Sequence, residues 1–121
     1  MTIAIERESD VCILRLGGRF AAGTDPEFVR GKSDEIRSLN CGKVLIDLRE
    51  VTAMGSNGIG FVVGIYSSVM KNPGGRFVIV GATPRVQEVF GLMRLIGVIP
   101  MATDIPEGMA VLNDSVQAPN S

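Results

Sequence analysis

A chain of 121 residues suits one domain, long enough to bury roughly two thirds of its unfolded surface in a single core. Its formal charge of −1 provides no basic field for nucleic acid and no polybasic patch for anionic lipid. Histidine is absent, which removes the usual general base, the Ser-His and Cys-His pairs and the commonest metal ligand, and moves expectation from enzyme toward binding module.

The longest nearly uncharged apolar stretch, Gly58 to Met70, is too short to span a bilayer. Glu6, Glu8 and Asp10 stand where a secretory signal would be apolar, so a cytoplasmic protein is expected. Cys12 lies in an apolar run and Cys41 in a Leu-Asn-Cys-Gly turn. Neither has a CxxC spacing, so neither a disulfide scaffold nor a zinc site is expected and both read as inert thiols.

In chain order, Thr2 to Glu8 alternates apolar and polar residues as a half-buried strand does, and Val11 to Leu16 reads as a second strand. The short turn Glu8-Ser-Asp10 between them predicts a hairpin, and Gly17-Gly18 is expected to end it. A connector then leads to a helix capped by Thr24 or Asp25, with Pro26 in its first turn. Phe28, Val29, Ile36 and Leu39 form its apolar face, and Gly42 marks its stop. Lys43 to Leu48 has the nearly continuous apolar centre of a strand covered on both faces.

After a loop through Ser56, Ile59, Val62, Val63, Tyr66, Val69 and Met70 recur at helical spacing. Pro73-Gly-Gly75 breaks this helix, and Arg76 to Val80 is another central strand. Thr83-Pro84 starts a third helix with Val86, Val89, Phe90 and Met93 as its buried stripe. Leu92, Leu95 and Ile96 fall off that stripe and are expected to expose apolar surface. A short strand at Ile99 to Ala102 and a last helix opened by Pro106 follow, then a polar tail. The expected organisation is one α/β domain over residues 1–113, with a flexible tail over 114–121. Strands alternating with helices indicate a mixed sheet of about five strands with three to four helices packed on it.

Two motifs invite a catalytic reading. Met54-Gly-Ser-Asn-Gly58 approaches a nucleophile elbow but lacks the Gly two residues before the serine, and no histidine is available as base. Gly58-Ile-Gly-Phe-Val-Val-Gly64 approaches a dinucleotide fingerprint with its last spacing one residue too long, and it lies within a helix. Small residues allowing close helix packing account for it better. With no phosphate loop and no metal cluster, no cofactor is expected and the chain is not read as an enzyme.

Ser56 stands at the expected start of the second helix. It is either a plain N-cap, whose loss costs about 1 kcal/mol, or a phosphoacceptor gaining about −1.5 to −2 charges at the positive end of a helix dipole. Phe61, Gly64, Ile65 and Ser68 form a second stripe on that helix. It is either an exposed partner surface beside the serine or part of a wide buried face.

From Ile3 to Leu112 the chain resembles a STAS domain of the anti-sigma factor antagonist type. The resemblance rests on Leu16-Gly-Gly18, Val44-Leu-Ile-Asp-Leu48, Met54-Gly-Ser-Asn-Gly-Ile-Gly60, the Gly74-Gly75 turn and Val86 to Gly97 with its Leu-Ile-Gly ending. It implies a STAS fold and a cytoplasmic bacterial regulator of transcription that works by partner-switching. Such a protein binds an anti-sigma factor that is itself a serine kinase, and phosphorylation of the serine at the second helix ends the binding. Ser56 occupies the phosphoacceptor position, with Gly55, Asn57, Gly58, Phe61 and Ile65 as partner-binding candidates. The alternative is a non-phosphorylated STAS interaction module that assembles with itself or with other STAS proteins. The chain departs from the family pattern at Gly55, where the family has Asp, at Asn57, where it has Ser or Thr, and at Ala21, where an acidic residue is common.

Overall fold

The computed structural model describes residues 2–20, 26–94 and 97–113. The strands are β1 (Thr2–Glu8), β2 (Val11–Phe20), β3 (Lys43–Met54), β4 (Arg76–Val80) and β5 (Met101–Ala102). The helices are α1 (Pro26–Ser38), α2 (Ser56–Met70), α3 (Pro84–Leu92) and α4 (Ile105–Leu112). The five strands form one sheet in the order β1-β2-β3-β4-β5, with β1 antiparallel to β2 and the other neighbours parallel. This is the mixed sheet and the helix count expected from the sequence.

The layers follow from chain direction. β2, β3, β4 and β5 advance across the sheet in one direction, so right-handed crossovers bring α1, α2 and α3 to one face. Cys12, Leu14, Val44, Ile46, Leu48, Phe77 and Ile79 supply the sheet side of that core. Ile36 of α1, Ile59, Val62 and Val69 of α2, and Val86 and Phe90 of α3 supply the helix side. Tyr66 meets the Phe77 ring edge-on, with centroids 5.3 Å apart. The alternate strand residues Val11, Ile13, Leu45, Val78 and Val80 point the other way and are covered by Leu112, Ile105 and Met109 of α4. Burial on both faces explains the apolar run of β3.

Several expectations are corrected. β2 does not end at Gly17-Gly18 but continues to Phe20, because β3 also runs on, through Met54 rather than stopping at Leu48. Their extensions pair across register shifts flanking Gly17 and Gly18, and Gly18 adopts φ +86° to accommodate the irregularity. α1 is stopped by Asn40, which takes the left-handed conformation at φ +50°, and not by Gly42. Met93 leaves the α3 stripe and is exposed, as is Leu92, whereas Leu95 and Ile96 lie outside the described residues. Thr24, Asp25 and the tail over 114–121 also lie outside them. Thr83 caps α3 as expected, its hydroxyl accepting the Val86 N–H at 3.3 Å.

The cysteines were expected to be inert thiols, yet Cys12 and Cys41 are joined as a disulfide with Cα atoms 6.0 Å apart. Their 29-residue separation hides a contact made by topology. Cys12 opens β2, Cys41 leads into β3, and the parallel register places Cys12 opposite Val44.

Candidate functional site

The paired extensions of β2 and β3 carry the start of α2. At their tip the Gly55 N–H donates to the Phe20 carbonyl at 2.6 Å, which fixes where the chain turns from strand to helix. Gly58, one turn further on, sits against the same support. A Cβ there would lie 2.8 Å from both Met54 Cγ and Phe20 Cβ, so only glycine lets the helix approach this closely. Gly58 is therefore buried and structural, not part of an exposed partner surface.

Ser56 is the first helical residue, and Gly55 is the N-cap, in an extended conformation with no side chain to accept a hydrogen bond. The reading of Ser56 as the N-cap is thus replaced. The start of α2 has no side-chain cap and no acidic residue in its first turn. α3 and α4, by contrast, begin with Thr83 and Asp104 accepting from their own first turns. Ser56 and Asn57 are exposed and Gly55 is half-buried. The first-turn amides and the positive end of the dipole favour an anion at this point.

On the second stripe of α2, Phe61 and Ile65 are buried, Ser68 is half-buried and Gly64 is exposed. Phe61 and Ile65 are each 5% exposed, so of the two readings of this stripe the buried one holds for them. Both line a cavity of about 320 Å³ between α1 and α2, together with Ile36, Cys41, Val44 and Val69. Leucine-like spacing on a helix does not say which of two adjacent faces meets a neighbour, and α1 lies against this one.

A second polar feature, absent from the sequence-based candidates, lies on the α4 face of the sheet. Asp47, buried within β3, accepts from Arg49 Nη2 at 2.9 Å and from the Arg49 N–H at 3.0 Å, and Arg15 Nη1 approaches it at 3.5 Å. Burial alone would push the carboxyl up. The hydrogen bonds from the Arg49 side chain and backbone, with the charges of Arg49 and Arg15, outweigh burial and hold it below its ordinary value. The signal was an aspartate inside the apolar Val44 to Leu48 run. Asp47 is enclosed by its partners and serves the sheet.

Among the described residues no group of His, Cys, Asp and Glu is disposed to hold a metal ion. No helix among them is long and apolar enough to cross a membrane.

This architecture, a sheet with one antiparallel edge pair and a helix start held at the tip of two extended strands, is that of a STAS domain. The STAS domain family profile matches residues 2–108, and the chain belongs to that family. Among its relatives, the anti-sigma F factor antagonist of Paenibacillus polymyxa is 26% identical over 102 residues, 84% of this chain and 86% of that protein. An anti-sigma factor antagonist from Mycobacterium paratuberculosis shares the fold with a TM-score of 0.81 at 18% identity, covering 93% of this chain and 94% of that one. The Bacillus cell fate determinant SpoIIAA is similar in both its states. Its unphosphorylated form gives a TM-score of 0.76 at 20% identity over 93% of this chain and 96% of that one. Its phosphorylated form gives 0.68 at 20% identity over 90% and 97%.

Proposed function

We propose that this chain is a cytoplasmic anti-sigma factor antagonist that binds a serine-kinase-type anti-sigma factor and is switched off by phosphorylation at Ser56. The observation that carries the reading is the exposed Ser56 hydroxyl at the first position of an α2 that has no side-chain cap. A phosphate there meets first-turn amides that the Gly55 cap leaves without a side-chain partner, and a favourable dipole, so the domain accepts the charge without unfolding. A partner seated over the same helix start meets a new dianion instead. Gly55 and Asn57 flank the serine on the side a kinase would approach, and both are proposed as partner contacts. SpoIIAA, similar in fold, exists in phosphorylated and unphosphorylated forms, which supports a phosphorylation switch in this architecture. In this reading the chain is ligand and substrate, not catalyst, and it needs no cofactor.

The runner-up is an unswitched STAS module that assembles with itself or with other STAS proteins. Gly55, in place of the acidic residue the resemblance leads one to expect, favours it. Intact-mass spectrometry after incubation with ATP and a candidate anti-sigma serine kinase separates the two. One added phosphate on the wild type and none on Ser56→Ala is the expected result. Binding to the kinase with no phosphate on either protein supports the runner-up.

A further inference from the structure

The Cys12–Cys41 pair meets the cavity between α1 and α2 at Cys41. Cys12 is fully buried, whereas Cys41 is 7% exposed and forms part of the cavity wall. The Cα separation of 6.0 Å falls within the range a disulfide requires, about 4.4–6.8 Å. The cavity, about 320 Å³, is of a size that admits a small molecule. It is open because α2 presents Gly60 and Gly64 to it. A Cβ on either would have no neighbour within 4 Å. Its polar lining includes two cations, Arg37 and Lys71, and no acidic side chain among the described residues. Arg37 is shared with Asp34 on the outer side of α1.

We propose that Cys41 is a site of thiol–disulfide exchange, reached through the α1–α2 cavity by small anionic thiols. The thiolate sulfur of the entering molecule attacks Cys41 Sγ. The bond between the two cysteine sulfurs breaks, and its electron pair leaves with Cys12, which takes a proton from solvent. A second thiol, as thiolate, then attacks the sulfur of the first molecule in the mixed disulfide and releases Cys41 as the thiolate, which is protonated in turn. Overall the protein disulfide gains two electrons and two protons, and two small thiols become one disulfide. Attack is directed to Cys41 because Cys12 does not line the cavity. Arg37 and Lys71 favour a negatively charged thiol over a positively charged one.

Opening the bond frees the connector between α1 and β3 from the start of β2. That connector and the C-terminal part of α1 form the wall facing Phe61 and Ile65 of α2. The bond thus ties down the wall that lies across the cavity from the helix carrying Ser56.

The test is the rate at which the oxidised full-length protein is reduced by glutathione, an anionic thiol, and by cysteamine, a cationic one, at equal thiolate concentration. Freed thiols are alkylated and counted by intact mass. Glutathione is expected to act about tenfold faster at low salt, the lower end of what a focused charge field provides. Gly64→Leu, which fills the cavity, is expected to slow both reagents on the order of tenfold through lost access. Gly31→Leu, on α1 outside the cavity, is expected to change neither rate. Lys71→Glu keeps the cavity open and is expected to abolish the preference for glutathione. Two alkylated thiols before any reductant is added, after exposure to a mild disulfide oxidant, would overturn the proposal. So would equal rates for the two reagents together with equal rates for the two glycine variants.

Discussion

At Ser56 and Thr83 two hydroxyls sit near helix starts and do different work. Thr83 accepts the Val86 N–H, whereas Ser56 stands one residue inside α2 and caps nothing. Thr83→Ala is therefore expected to lower stability by about 1 kcal/mol. Ser56→Ala is expected to stay within about 0.5 kcal/mol of the wild type. Urea unfolding of the two variants measures the difference, and a comparable loss at Ser56 would return it to a structural role. Asp47 is the residue whose charge matters to folding. Its folded-state pKa lies below its ordinary value of 3.8, so its contribution is complete above that value and is lost as pH falls through the folded one. Asp47→Asn, which removes charge-assisted hydrogen bonds, is expected to cost about 1–3 kcal/mol at neutral pH. The gap between wild type and variant narrows in acid below pH 3.8, as unfolding midpoints across pH would show.

The α2 start depends on strands that outrun the rest of the sheet. Gly58→Ala places a methyl against Met54 and Phe20 and is expected to cost about 1–3 kcal/mol as overpacking. It also displaces Ser56 from its support, so impaired kinase binding in a variant that remains folded is the companion expectation. The elements themselves were largely legible. β1 and β4 fall where alternation and apolar runs put them, and Thr83-Pro84 announced α3 through side-chain chemistry that works locally. The lengths of β2 and β3 were not legible. Gly17-Gly18 reads as a terminator, and only pairing with the equally irregular stretch from Glu50 to Met54 makes it a bulge. The same limit applies to α2. Helical spacing identified Phe61 and Ile65 as a second stripe, but whether α1 or a partner covers that stripe is a property of packing. The serine's place at a helix start was visible from the residues. That Gly55 and not Ser56 is the cap was not, because both are acceptable there.

At the scale of the molecule, one cross-link joins elements that are distant in sequence. A 29-residue separation gives about 3–4 kcal/mol in the chain-entropy account, so replacing both cysteines by alanine is expected to lower stability by that order. Cysteine spacing concealed the pair because parallel strands bring together residues separated by a whole crossover helix. The α2 surface and the disulfide lie on the same helical layer, while α4 shields the opposite face. This places the proposed partner surface at one end of a domain whose other side is committed to its own core. In the proposed function, charge at Ser56 decides whether that end is occupied. The most direct measurement is the affinity of the anti-sigma kinase for the unmodified protein and for protein phosphorylated at Ser56, side by side. Weakening by tenfold or more, equivalent to about 1.4 kcal/mol or above, is expected. Equal affinities for the two forms would contradict it.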